Sequence, residues 1–181
     1  MVSELSRIKK VDDSNIAVVV VKAAYQVMCD MLGPGLNLLP HAEIDVKHQA
    51  GKGESLITAW CRESDESDNR TRVLVLHFLH RCKQMQIPTI MMPHSMVHER
   101  LGKRTMQALF QVAEAHGYKL LVVNMVPSFF ERLVKRGAQE VESDSVLITA
   151  DTDLVGDVGS PRHNPDEEVR PFDIFSLLRG Q

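Results

Sequence analysis

The sequence predicts an α/β (α+β) fold, a mixed and mostly antiparallel sheet with flanking helices. Two patterns and one bulk property predict it. Glu54–Cys61 and Thr71–Leu79 are strand-like runs on either side of a charged turn, Arg62–Arg70, so they should pair as an antiparallel hairpin. From about Pro88 to Ala150 the pattern changes to strand, helix, strand, helix, strand. Finally, 181 residues that are 44% apolar suffice for one real core but are short for two full domains.

Residues 13–32 are predicted as the first helix. Asp13 or Ser14 can cap it, and Ile16, Val19, Val20, Ala23, Ala24, Val27 and Met31 recur at spacings of three and four. Its valines argue for a strand instead, because β-branched residues favour extended chain. Gly33-Pro34-Gly35 is expected to stop it. Residues 36–53 lack a clear period and read as irregular chain or one short helix. Ile87–Met92 is the third strand, bounded by Pro88 and Pro93. A helix from about Lys103 to His116 follows. Its Met106, Leu109, Phe110 and Ala113 form the stripe of a helix lying on a sheet, and Gly117 closes it. Leu120–Val123 is a continuous apolar run, the mark of a strand covered on both faces. Ser128 and Glu131 read as a capping box for a helix carrying Phe129, Phe130, Leu133 and Val134, ended by Gly137. Val146–Thr149 is the last strand.

The folded domain is expected to span residues 1–150. Residues 151–181 are a separate segment: an acidic stretch rich in Gly and Pro, then an apolar cluster of Phe172, Ile174, Phe175, Leu177 and Leu178. That cluster is expected to dock, either back on its own domain or on a protein partner, which includes a second copy of the chain. The net charge of −3 gives no general attraction to nucleic acid or to an anionic membrane. Three scattered cysteines, Cys29, Cys61 and Cys82, fit neither a disulfide framework nor a zinc ribbon and favour a reducing compartment. Ile16–Val21, the longest apolar stretch in the N-terminal half, falls far short of the roughly 20 residues of a membrane span. A cytoplasmic protein is the expectation.

Three segments carry a resemblance. They are Leu101-Gly102-Lys103-Arg104-Thr105-Met106 opening the long helix, Leu120-Leu121-Val122-Val123-Asn124 on the central strand, and Phe129 through Gly137-Ala138 on the last helix. Their order is similar to the cofactor-binding half of the GNAT superfamily of N-acyltransferases, over roughly Ile87–Thr149. The resemblance implies acetyl-CoA or another acyl-CoA as co-substrate, and a parallel strand pair that splays to admit the pantetheine. It also implies a pyrophosphate at the start of the following helix, whose first amides lack internal partners. Met92, Val97, Leu101, Gly102, Lys103, Arg104, Thr105, Met106 and Asn124 would then line the cofactor site. The chain departs from the family pattern twice. Arg104 and Met106 stand where small residues are expected, and Leu133 stands where many members place a proton-donating tyrosine. The chain is therefore also similar to degenerate GNAT-like proteins of bacteriophages, which implies an inert structural or assembly role and a virion location as the alternative.

Acyl transfer to an amine needs a base and donors to the thioester oxygen. The sequence offers His94, His98 and Glu99 after the strand that precedes the long helix, with Glu54 as a further base. Asn124, ending the central strand, can contact substrate or cap the next turn. His94 and His98 could share a helical face, but no third metal ligand follows at a zincin spacing. Cys29 and Cys82 read as core thiols. Met91, Met92, Met96 and Met106 read as core filler or, alternatively, as the lining of an acyl groove.

Overall fold

The computed structural model describes residues 3–39, 41–49, 52–62, 69–94, 96 and 100–156, with side chains from Ile16 onward. It contains a seven-stranded mixed sheet in the order β1-β2-β3-β4-β5-β7-β6. The strands are β1 (Glu43–Gln49), β2 (Glu54–Cys61), β3 (Thr71–Leu79), β4 (Gln84–Ile90), β5 (Lys119–Val122), β6 (Gln139–Glu142) and β7 (Ser145–Ile148). The helices are α1 (Ser3–Leu36), α2 (Leu101–Ala115) and α3 (Pro127–Val134). β1 to β4 form an antiparallel meander, β4 and β5 are the parallel pair, and β7 runs antiparallel to both β5 and β6. The α+β architecture and the hairpin of β2 with β3 are as the sequence predicts.

Alternation along the strands sends one set of side chains into the core. Ile57 and Ala59 of β2, Leu74, Leu76 and Phe78 of β3, and Met85 and Ile87 of β4 share it with Leu120, Val122, Val146 and Ile148. The buried α1 residues Val20, Val21, Ala24, Met28, Leu32 and Leu36 join the same cluster, as do Met106 and Leu109 of α2 and Leu133 of α3. All three helices thus contribute to one apolar cluster. Leu56, Val75 and Leu121, with the opposite parity, lie outside it.

Several expectations need correction. α1 runs through Gly33-Pro34-Gly35 and ends at Leu36. Proline's fixed φ is helical, and near a C-terminus its ring costs only the last bonds of the ladder. A β-carbon on Gly35 would fall 2.7 Å from Met96 Cε, so this glycine makes room for a neighbour and does not cap the helix. The buried α1 stripe is also rotated from the predicted one, since Ile16 and Val19 are exposed and Val21, Met28 and Leu32 are buried. Helix Ile16–Leu36 is long and apolar enough to cross a membrane, which counting only unbroken apolar residues concealed; 28% of it is buried in this fold.

Residues 43–49, expected to be irregular chain or part of one short helix, form β1. Their alternation of charge with Ile44, Val46 and His48 belongs to an edge strand with one face on the core. β6 is four exposed residues, Gln139–Glu142, whose single apolar side chain, Val141, makes no alternating pattern. The capping box at Ser128 is not formed. Pro127 takes the first helical position behind Val126, and no side chain caps the helix.

Both helix-ending glycines are confirmed. Gly117 and Gly137 have φ of 69° and 89°. After α2, Tyr118 N–H donates to Ala113 O (2.7 Å) and Gly117 N–H to Glu114 O (3.1 Å); after α3, Ala138 donates to Leu133 and Gly137 to Val134 in the same way. These are Schellman closures. The packed chain also continues past residue 150. Leu154 is buried in the core, and Arg136 Nη1 donates to the carbonyls of Asp153 and Gly156. Phe172, Ile174, Phe175, Leu177 and Leu178 lie outside the described residues.

Candidate functional site

The parallel strands β4 and β5 are paired from Gln84/Lys119 to Ile87/Val122, and Val123 N–H donates to Ile87 O at 3.1 Å. There the ladder stops. β4 continues to Ile90 on β3 alone, and Met91 N–H still donates to Val73 O at 2.7 Å. The cause is local. The β3–β4 register shifts between Val75 and His77, and on β4 the bulge falls at Ile87-Pro88. Ile87 O accepts from Val123 N–H, so Pro88 N, on the opposite side of the same peptide plane, faces β3, and the missing donor falls at the β3–β4 bulge. β5 meanwhile ends at Val122, and Asn124 takes a left-handed φ of 57°. The two strands therefore part at the upper end of the sheet, the end where both finish.

The start of α2 closes this parting. A β-carbon built on Gly102 would meet Ile90 Cδ1 at 3.5 Å and Met92 Cγ at 3.8 Å, so the helix begins against the last turn of β4. Arg100, directly before the helix, holds a left-handed φ of 53° and has no side-chain cap bond to the first turn. Arg100 and Asn124 are two of the four non-glycine residues with positive φ among the described residues, and both flank the parting. Such conformations cost about 1–3 kcal/mol and gather at functional sites. The amides of Lys103 and Arg104 donate to Arg100 O, whereas those of Leu101 and Gly102 precede the first intrahelical bond.

The side chains divide sharply. Arg104 is exposed, Lys103 and Met92 are half-buried, and Leu101 and Met106 belong to the core. Arg104 is thus turned to solvent and Met106 into the core. Thr105 is fully buried, and its Oγ1 has no hydrogen-bond partner among the described residues. An orphaned hydroxyl of this kind costs about 1–3 kcal/mol. Asn124 is exposed and does not cap α3, whose N-cap is Val126. Val97, His98 and Glu99 lie outside the described residues; His94 is exposed. Among the methionines, Met96 and Met106 are core, while Met91 is exposed.

Glu54 is not part of this constellation. It begins β2 opposite Leu79, at the lower end of the sheet, and accepts a hydrogen bond from His77 Nε2 at 3.2 Å. That end carries a polar network that sequence reasoning missed. Ser55 Oγ lies 3.0 Å from His48 Nδ1 and 2.8 Å from His80 Nε2, and His80 Nδ1 is 2.9 Å from the Tyr118 hydroxyl. Ser55 and Tyr118 are 3% and 7% exposed. Burial, reinforced by nearby His48 and His77, lowers the pKa of His80 below its ordinary 6.5. The sequence signal is a polar residue where each strand begins or ends, which is indistinguishable from a turn.

No protein-family model, curated protein or solved structure matches the chain.

Proposed function

We propose that this chain binds acetyl-CoA or another acyl-CoA where β4 and β5 part, and transfers the acyl group to an amine. One observation carries the reading: the parallel ladder ends at Ile87/Val123 while β4 continues, and the start of α2 stands against Ile90 and Met92. An amide-rich chain such as pantetheine finds backbone partners along strands that have lost each other. A pyrophosphate finds the first amides of α2, its partial positive charge, and the cations Lys103 and Arg104. In the reaction the amine nitrogen bonds to the thioester carbonyl carbon, the carbon–sulfur bond breaks, and the CoA thiolate takes up a proton. The base is assigned to His98 or Glu99, and the Thr105 hydroxyl and Asn124 are further polar groups at this end of the fold.

A second reading has its own observation. Leu133, where a proton donor to the thiolate would stand, is 2% exposed and has nothing to donate. Under that reading the fold binds CoA or a protein partner without turnover.

A thermal melt with acetyl-CoA tests the binding step. Ligand at about 100 times its dissociation constant adds roughly 2.7 kcal/mol, or about 5–10 °C for a domain of this size. No shift at about 1 mM, with wild-type and Lys103→Glu melting alike, overturns the proposal. A shift without acylation of any amine in a primary-amine panel selects the second reading.

A further inference from the structure

The two edges of the sheet differ in a way that points to a partner. β6 is four residues long and acidic; paired antiparallel with itself about Val141, it would set Glu140 against Glu142. Short, like-charged edges of this kind resist pairing. β1 has seven residues, forms the other edge, and pairs with β2 from Glu43 to Gln49 without a bulge. Its outer side has no strand beside it among the described residues.

We propose that β1 pairs with β1 of a second copy of this chain, antiparallel about a twofold axis at Val46, making one continuous sheet across a homodimer. The register follows from charge and parity. Centred on Val46, Asp45 faces Lys47 of the second copy and Lys47 faces its Asp45, while Ile44 meets His48 and Glu43 meets Gln49. Within each chain Lys47 Nζ already lies 3.4 Å from Asp45 Oδ2, so the four charges alternate around a ring. Centring the axis on residue 45 or 47 instead sets like charges opposite each other, which is destabilising. Centring it between residues sets a core-facing side chain against a solvent-facing one, which strand parity forbids.

The twofold is perpendicular to the sheet, so both copies carry their helices on the same side and bring their α1 helices together over the joined strands. α1 is suited to that. Beside β1 it borders an open cleft of about 280 Å³ lined by Tyr25, Cys29, Leu36, Ala42 and Ile44. Two turns further along the helix stands Val18, which is 58% exposed, with Val19 at 46% beside it. At 34 residues α1 is about 51 Å long.

Sedimentation velocity of the full chain, with charge reversals on β1, tests the proposal. The expected species is a dimer of the 20.4 kDa chain. Asp45→Lys or Lys47→Asp alone should weaken it on the order of tenfold, because each creates two like-charged contacts across the axis. The double variant Asp45→Lys/Lys47→Asp restores both pairs and should restore the dimer. Circular dichroism melts confirm that the single variants stay folded, as expected for side chains this exposed. A monomer at hundreds of micromolar, including one in which the chain's own C-terminal segment covers β1, overturns the proposal. So does a dimer indifferent to both single reversals, or single losses that the double variant does not rescue.

Discussion

The two ends of the sheet solve opposite problems with polar residues. At the lower end, His48, Ser55, His80 and Tyr118 hand hydrogen bonds to one another, and His77 is satisfied by Glu54. This end has the richest chemistry by residue type, and nearly all of its capacity is consumed internally. No three of its His, Cys, Asp or Glu groups gather at metal-binding distance among the described residues. At the upper end the residues are less eye-catching, but the backbone is left open: a ladder stops, two left-handed residues stand at its mouth, and Thr105 keeps an unpaired hydroxyl. Groups already paired with each other hold a fold together, whereas a buried group held without a partner costs stability and calls for an explanation.

The comparison can be broken at several points, beginning with a glycine. Gly137, near the lower end, has φ 89°, and an added β-carbon would lie 2.8 Å from Asp151 O. Gly137→Ala should therefore cost upwards of about 2 kcal/mol in urea melts. If it melts like wild type, the Schellman closure of α3 is not as described. Next in size, Ser55→Ala strands two imidazole nitrogens and should lose about 1–3 kcal/mol. An unchanged stability would show that the lower network is not structural.

The pH dependence should follow from His80. Its pKa in the fold lies below 6.5, so the unfolded chain takes up this proton first as pH falls. Its contribution is thus to reduce stability as pH drops through 6.5 toward the lowered folded-state value, with no further loss below it. His80→Gln should flatten that part of a stability–pH profile, and an identical profile in the variant would contradict the assignment. At the upper end the signs reverse. Thr105→Val removes an unpaired hydroxyl at nearly constant shape, so it should be neutral or stabilising by up to about 1 kcal/mol. A loss as large as that of Ser55→Ala would mean that Thr105 is satisfied and the two ends are alike. Smallest of all, Gly102→Ala meets only ordinary contacts at 3.5 Å or more and should leave stability within about 1 kcal/mol. Under the proposed function it should nevertheless reduce the acetyl-CoA-induced rise in Tm.

Much of the fold was legible because its strongest signals are local. β2 and β3 were delimited by alternating β-branched and aromatic runs, α2 by its apolar stripe, and both C-terminal glycines by the need for positive φ. The errors arose where a local rule met a tertiary one. Gly33-Pro34-Gly35 looks like a stop, but Leu32 and Leu36 are buried in the core, and that packing holds the helix together through it. β1 and β6 became strands by having neighbours rather than by composition. The site was half legible: Gly102, Lys103 and Asn124 were named from sequence and come to the same end of the sheet, while Glu54 was named and stands at the other.

The sequence by itself determined which segments are helix or strand in the central and C-terminal parts, and that one apolar core would hold them. Those properties depend on side-chain periodicity and on single residues with special backbones, so they are written in the chain. Only the tertiary structure decided which end of the sheet is open. That depends on where one ladder ends, on Pro88 meeting a bulge, and on whether a histidine finds a serine seven or twenty-five residues away. Pairings of that kind are set by register between distant segments, and register is a property of the assembled sheet rather than of any one stretch.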